Sequence, residues 1–177
     1  MNFYQHMAVG IFGMLALGGA LPPVLAATEP VVLRIYAPAA SSTATNPTKD
    51  LANGPLVASL PIEFFKKLPQ HSFVTKTPWY KKPVQFTGPL LRDVLAAAKV
   101  KGRVIHAVAL DDYQVSIPFS DAAQFDVILA HTMDGEALTP KNKGPLFVVY
   151  PYDSKPELQA VRFYERSIWQ LKALRLE

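Results

Sequence analysis

The chain has 177 residues, 16 prolines and no cysteine, and 50% of its residues are hydrophobic, which is ordinary for one globular domain with a core that needs no disulfide. Eighteen basic residues against 14 acidic ones give a net charge of +4. Part of that excess is a patch of lysines without a neighbouring acid, namely Lys66, Lys67, Lys76, Lys81 and Lys82. No arginine or aromatic ladder accompanies the patch, so we exclude a nucleic-acid-binding protein and interpret it as a solvated face. An anionic ligand or partner is the alternative.

The N-terminal segment has the pattern of an export signal. An uncharged apolar run over residues 7–21 is followed by Pro22-Pro23 and by Val24-Leu25-Ala26, whose small residue suits signal-peptidase cleavage. We predict a signal peptide over residues 1–26, a periplasmic location without stable membrane insertion, and a mature single domain over residues 27–177. The alternative is an uncleaved anchor, because the apolar stretch just reaches the roughly 20 residues of a spanning helix. No twin arginine precedes the run, which indicates export as an unfolded chain.

Short strands are predicted along the whole mature chain, because runs rich in β-branched and aromatic residues are bounded by turn residues. In chain order, they lie at residues 31–36, 72–77, 103–110, 114–118, 127–132, 137–138, 147–150 and 168–176. Asp111-Asp112-Tyr113 and Asp134-Gly135 predict tight hairpin turns between neighbouring strands. Residues 37–53, rich in small and polar residues without apolar periodicity, predict a mobile surface loop.

Helices are few and short in the predicted chain. Ser59 is expected to cap a helix that Pro69 ends, and Ser120 to cap a helical turn. The clearest helix spans residues 88–98, with proline near its first turn, apolar residues at helical spacing and Gly102 as the expected terminator. Many short strands, few helices and no internal repeat predict an α+β domain with mixed β-sheets.

Several of these segments look like the ordered motifs of a known family. They are VQFTGPLLRDVL (84–95), ALDDY (109–113), DVILA (126–130), MDGEAL (133–138), GPLFVVYP (144–151) and IW (168–169). Their order resembles the oxidoreductase molybdopterin-binding domain of the sulfite oxidase family, from about Ser72 to Leu176. The resemblance implies the fold of that family, an α+β arrangement of mixed β-sheets with short helices.

The resemblance also implies where a cofactor would be held, and the sequence departs from it there. In the family a cysteine on the strand before the F-x-G segment binds molybdenum, and a basic residue beside the late tryptophan holds the pterin phosphate. The strand in question is residues 74–79 and has no cysteine, and threonine hydroxyls are poor substitutes for a soft thiolate. Ile168 stands beside Trp169 and cannot donate to a phosphate. With the leader unsuited to a loaded protein, we expect a relative without molybdopterin.

The same resemblance suggests a cleft for a ligand. We predict an aromatic, polar pocket around the place of the family's metal, with Lys76 or Arg166 supplying charge for a small organic or anionic ligand. Its candidate residues are Thr75, Lys76, Thr77, Trp79, Tyr80, Asp112, Tyr113, Tyr150, Tyr152, Asp153, Arg166 and Trp169. The alternative is structural: aromatic residues are also typical of a core, and the adjacent carboxylates of Asp111 and Asp112 are also typical of a turn.

Other chemistry has weak support in the sequence. His71, His106 and His131 lack the spacing of metal ligands, so we predict no metal site. Ser120, Asp121 and His131 have the residue types of a hydrolase, but no G-x-S-x-G turn exposes a serine.

We therefore predict a periplasmic module without catalytic residues that binds a small ligand or docks on the outer domain of a membrane-bound sensor. One alternative is a molybdopterin-dependent oxidoreductase with a non-cysteine ligand, Thr75 or Thr77. Another is an assembly protein that docks through an exposed strand edge.

Overall fold

The computed structural model describes residues 29–38 and 54–177. Its strands are β1 (Val31–Tyr36), β2 (Leu56–Pro61), β3 (Gln70–Thr77), β4 (Tyr80–Pro89), β5 (Val104–Ala109), β6 (Gln114–Pro118), β7 (Ile128–Ala130), β8 (Thr132–Met133), β9 (Glu136–Ala137), β10 (Phe147–Val149) and β11 (Leu171–Leu176). Its α-helices are α1 (Ile62–Lys67), α2 (Leu91–Ala97), α3 (Phe119–Gln124) and α4 (Val161–Glu165). Mixed sheets with a few short helices confirm the predicted α+β class.

The larger sheet has five strands in the order β2-β1-β11-β5-β6. β1 and β11 pair in parallel, and the other neighbours pair antiparallel. Leu33 and Ile35 on β1 and Leu174 on β11 are fully buried, because alternate residues of a strand point to the same face. Strands far apart in the sequence therefore form the centre of this sheet.

The smaller sheets have the orders β3-β4-β8-β9 and β10-β7. In the hairpin of β3 and β4, Thr77 pairs with Tyr80, so Pro78 and Trp79 form the turn and Trp79 sits at the hairpin tip. β8 and β9 join through the predicted turn, where Asp134 and Gly135 have φ of 50° and 82°. Two positive φ values are the geometry that favours Asp-Gly in a two-residue hairpin loop.

The turn between β5 and β6 is also as predicted. The Ala109 N–H donates to the Tyr113 carbonyl at 2.9 Å, and Asp112 adopts a φ of 67°. The Oδ1 atom of Asp111 accepts the Tyr113 N–H at 3.1 Å, a local bond that suits aspartate in a turn. The chain reverses at Asp112, and the carboxylate of this residue forms an ion pair with Lys172.

A close backbone approach holds the sheets together at Gly88. Leu90, just beyond β4, forms a bridge with Ile128 on β7. A Cβ atom built on Gly88 would lie 2.0 Å from the backbone oxygen of Leu129 and 2.8 Å from the Cα of Ala130. Only glycine fits between these strands, which gives a physical reason for the glycine of the F-x-G segment.

The helix boundaries differ from the sequence predictions at their first residues. Ser59 lies within β2 opposite Arg34, and α1 starts directly after Pro61 without a side-chain cap. Ser120 is inside α3, which follows Pro118. Both strands run straight into their helices, so neither serine can act as the cap. Pro69 does end α1, as predicted, because the residue before a proline is held extended.

The clearest predicted helix is shorter than residues 88–98. Its first two residues, Gly88 and Pro89, belong to β4, so α2 begins at Leu91. It ends before Gly102, because Lys99 takes the left-handed conformation with φ of 56°. The last strand begins at Leu171, since Gln170 also has a positive φ of 50°.

The predicted signal peptide over residues 1–26 lies outside the described residues, as does the predicted loop except for its first two residues. In the described part of the chain, no helix is both long and apolar enough to cross a bilayer.

His131 lies between β7 and β8, where its Nε2 is 2.8 Å from Oε1 of Gln70. Partial burial, with a smaller effect of Lys66, lowers the pKa of His131 below its ordinary 6.5. The folded state therefore binds fewer protons than the unfolded state, so stability should rise with pH up to about 6.5. We expect His131→Gln to flatten the dependence of the free energy of unfolding on pH between about 5 and 6.5. Urea denaturation across that range measures it. His71→Gln at an exposed site is the control, and an equal flattening there would contradict the assignment.

Candidate functional site

A cleft of about 430 Å³ opens where the β3–β4 hairpin tip, the β5–β6 turn and α4 meet. The described residues that line it are Trp79, Ala109, Asp111, Tyr113, Tyr164, Glu165, Ser167, Ile168 and Trp169. Its volume falls within the range of small-molecule sites, which are mostly apolar with a few polar groups. The cleft is therefore the candidate functional site.

Aromatic rings set at right angles form its walls. The ring centroids of Trp79 and Trp169 are 5.6 Å apart with an interplanar angle of 81°, and those of Trp79 and Tyr164 are 6.3 Å apart at 88°. Phe147 supports both tryptophans from the core, at 5.5 Å from Trp79 and 6.0 Å from Trp169. Edge-to-face pairs of this kind fix the ring orientations. The walls are thus rigid aromatic surfaces placed by the hairpin tip and by the segment before β11.

Two carboxylates, those of Asp111 and Glu165, are the acidic groups of the cleft. Among the described residues, neither forms an ion pair: the neighbouring Arg166 bonds to Asp121, with Nη1 to Oδ2 at 2.8 Å, and Lys172 bonds to Asp112. Two basic side chains next to the cleft, Arg166 and Lys172, are therefore paired with acids outside it. The cleft has an acidic rather than a basic character.

Lys143 lies beside the aromatic cluster but is not among the described lining residues. Its Nζ is 3.8 Å from the ring centroid of Trp169 and 5.8 Å from that of Tyr80. Partial burial lowers the pKa of Lys143, and partial burial together with Asp134 raises the pKa of Tyr80. Lys143 therefore already makes a cation–π contact with one face of the Trp169 ring.

The end of β3 is closed by contacts with the segment that follows β10. The hydroxyl of Thr75 accepts the Asp153 N–H at 3.2 Å, and the Lys76 N–H donates to the Asp153 carboxylate at 2.8 Å. Thr75 is 1% exposed, and its hydroxyl is used within the protein. Thr77 is also buried, and its Oγ1 has no hydrogen-bond partner among the described residues.

Tyr150 and Tyr152 were expected to line the cleft, but both are fully buried in the core. The Tyr150 hydroxyl donates to Asp121 at 2.7 Å, and the Tyr152 hydroxyl bonds to Ser167. Burial raises the pKa of both phenols above the ordinary tyrosine value. Their hydroxyls point to internal partners because an unpaired buried hydroxyl is costly. They support the floor of the site from within.

The structure thus brings only part of the predicted set together. Trp79, Tyr113 and Trp169 line the cleft, and Tyr80 adjoins it through Lys143. The predicted members outside it are Thr75, Lys76, Thr77, Asp112, Tyr150, Tyr152, Asp153 and Arg166. Lys76 and Arg166, which were expected to supply positive charge, do not line the cleft, and its charged lining residues are Asp111 and Glu165.

The lining residues that the sequence analysis does not predict include one aromatic and two acidic residues, Tyr164, Asp111 and Glu165. Tyr164 and Glu165 lie on α4, a helix of five residues that carries no predictive periodicity. Of the two adjacent carboxylates, the sequence predicts Asp112 in the pocket, but Asp111 lines it. Asp112 has a left-handed backbone conformation, and its carboxylate bonds to Lys172 instead.

A comparison with protein families finds the oxidoreductase molybdopterin binding domain over residues 62–153, just over half of the chain. The chain belongs to this family. The matched region of this molybdopterin-binding-domain protein includes the β3–β4 hairpin and the β5–β6 turn, and it ends at Asp153, before α4.

The solved structures include a similar protein, the sulfane dehydrogenase SoxCD from Paracoccus pantotrophus. The two share 19% sequence identity with a TM-score of 0.50 over 67% of this chain. The likeness supports the fold, and the matched part is 34% of the dehydrogenase chain, so this chain spans about a third of that protein. A comparison with curated proteins finds no match.

The residues present do not fit the molybdenum site implied by the family. The chain has no cysteine to supply a thiolate, and the Thr75 hydroxyl is bonded to Asp153. Ile168, beside Trp169, is 1% exposed and offers no donor to a phosphate. The donor set of this site is aromatic and carboxylate, which is unlike a cluster that holds a phosphate and a soft metal ion.

Proposed function

We propose that this protein binds a small organic ligand in the cleft and performs no molybdenum-dependent redox reaction. One observation carries the proposal: a cleft of about 430 Å³ with walls of Trp79, Tyr164 and Trp169 opens at the surface of a chain that has no cysteine. A concave, mostly apolar site with a few polar groups is typical of small-molecule binding.

We also propose that the protein acts in the periplasm after removal of residues 1–26, and that ligand binding is reported to the outer domain of a membrane-bound sensor. The apolar run and the small residue at position 26 support cleavage. N-terminal sequencing of the protein from a periplasmic fraction tests the location. Pull-down with and without ligand tests the partner, and a stable complex that ignores the cleft would favour assembly through a strand edge.

The first test of the function is molybdenum by elemental analysis, with pterin fluorescence, on protein purified from a native host. We expect neither in stoichiometric amount. Near-stoichiometric molybdenum would overturn the proposal in favour of an oxidoreductase with a non-cysteine ligand. The observation that favours this second candidate is the buried hydroxyl of Thr77, which has no hydrogen-bond partner within residues 29–38 and 54–177. Thr77→Val would then reduce the bound molybdenum, whereas the non-redox proposal predicts no metal in either protein.

Ligand binding is expected to depend on Tyr113, which is 54% exposed and lines the cleft. Tyr113→Ala removes part of one wall with little loss of packing, so we expect an unchanged melting temperature without ligand. The stabilisation by bound ligand should fall by about 0.5–1.5 kcal/mol. Thermal shift with a mixed panel of small neutral, anionic and cationic compounds measures it.

The matched control is Val74→Ala, at a side chain that is 59% exposed on β3 and outside the cleft. It should leave both quantities unchanged. Equal ligand effects in the two variants would place binding elsewhere on the protein.

A further inference from the structure

If the cleft binds a small ligand as proposed, the charged groups that line it indicate the charge of that ligand. Asp111 and Glu165 bring two carboxylates to the cleft, and no Lys or Arg is among the described residues that line it. Of the adjacent basic groups, Arg166 and Lys172 are paired with Asp121 and Asp112. Lys143 lies against Trp169 but outside the described lining, so the charged groups that a ligand contacts directly in the cleft are the two carboxylates.

The aromatic walls favour the same sign. Two tryptophans and a tyrosine at near right angles present several π-faces and edges to one space, and a ring face attracts a cation through its quadrupole. The position of the Lys143 ammonium, 3.8 Å from the centroid of Trp169, shows that this cluster accommodates a positive group. An aromatic enclosure with nearby carboxylates suits a cation whose charge is spread over methyl groups, because such a cation loses little hydration on entering.

We infer that the cleft binds a small organic cation of the quaternary ammonium or methylated amine class. The carboxylates of Asp111 and Glu165 supply the counter-charge, and Trp79, Tyr164 and Trp169 contact the methyl groups. The cleft volume of about 430 Å³ leaves room for a substituent on the cation. Anionic ligands, which the lysine content of the sequence had suggested, are disfavoured by the same carboxylates.

The chain has two tryptophans, and both line the cleft, so the intrinsic fluorescence reports on this site alone. The experiment titrates the full protein, at low ionic strength, with choline, with 3,3-dimethylbutan-1-ol as its uncharged equivalent of the same shape, and with acetate. We expect a saturable change in tryptophan emission with choline, binding at least about tenfold weaker for the uncharged alcohol, and none with acetate. Added salt should weaken the binding of choline.

Variants that remove a charge distinguish the contribution of the carboxylates to binding from that of the aromatic walls. Glu165→Gln and Asp111→Asn keep the size of each side chain, and the asparagine retains an oxygen for the Tyr113 N–H. Each should weaken choline binding by about threefold to tenfold, without a change in melting temperature. Glu157→Gln is the matched control, because Glu157 is exposed and outside the cleft, and it should bind choline like the unaltered protein.

The outcomes distinguish this inference from the proposed function. Equal binding of the alcohol and choline, or binding of acetate, would overturn the cationic ligand and leave a ligand-binding cleft in place. Failure of choline to change the emission at millimolar concentration would also overturn the inference. Stoichiometric molybdenum in the native protein would instead overturn the proposed function itself.

Discussion

We expect the replacement of Asp121 by alanine to lower the free energy of unfolding by about 3–5 kcal/mol. The Asp121 side chain is 6% exposed and accepts hydrogen bonds from the Tyr150 hydroxyl at 2.7 Å and from Arg166 at 2.8 Å. Without the carboxylate, the buried phenol of Tyr150 and the partly buried guanidinium of Arg166 lose their acceptor. The cost of leaving such groups unpaired exceeds the net stabilisation from the intact pair.

Asp126→Ala provides a matched control, because it breaks an ion pair of the same length in solvent. Arg92 Nη1 and Asp126 Oδ1 are 2.8 Å apart, but the two side chains are 40% and 67% exposed. We expect this variant to lose no more than about 1 kcal/mol. Guanidinium denaturation of both variants measures the difference. Similar losses would show that water reaches the Asp121 network freely, and that burial does not determine its contribution.

The second large effect is expected at Gly88, where we predict that alanine costs about 3 kcal/mol or more and prevents normal folding at elevated temperature. The added methyl group would lie 2.0 Å from the Leu129 carbonyl oxygen, and 2.8 Å from the Cα of Ala130. Both obstacles are backbone atoms of β7, which also pairs with β10. No side-chain rotation can relieve the contact, so β4 and β7 would have to move apart.

Gly135→Ala separates this steric effect from backbone strain. Nothing lies within 4 Å of a Cβ at Gly135, but its φ of 82° is one that alanine adopts poorly. We expect a cost of about 1–2 kcal/mol for this variant. Yield of folded protein and urea denaturation compare the two. A Gly88→Ala variant that is as stable as Gly135→Ala would mean that the strands separate easily.

Most strands, two hairpin turns and the fold class could be predicted because their signals are local, whereas the sequence pattern predicts no strand at β2 or β4. The residue types Asp134 and Gly135 favour the positive φ values that the turn needs, and the alternation of apolar residues along a strand indicates which face is buried. Helix starts were less predictable, because Ser59 and Ser120 have the residue type of a cap but lie where strands run directly into helices. The preference of serine for the N-cap position does not show whether a given serine lies in a strand, at a cap or inside a helix.

The site was predictable in its aromatic residues and unpredictable in its charge. The family's motifs place Trp79 and Trp169 at the cleft, as observed. They equally suggest Tyr150 and Tyr152, which are aromatic residues of the core. Whether Arg166 faces a ligand depends on Asp121, which is far from it in sequence and bonds to it only in the folded protein. Ion pairs between residues far apart in the sequence therefore determine which charged side chains line the cleft.

The parallel pairing of β1 with β11 has a consequence for the order of events during synthesis. Residues 31–36 cannot pair with their parallel neighbour until residues 171–176 have left the ribosome. Until then the larger sheet has only two separate strand pairs, β1 with β2 and β5 with β6, whose common partner is missing. Such long-range closure delays folding. The larger sheet therefore stays open until the last strand has been made, which is the state that the proposed export of an unfolded chain requires.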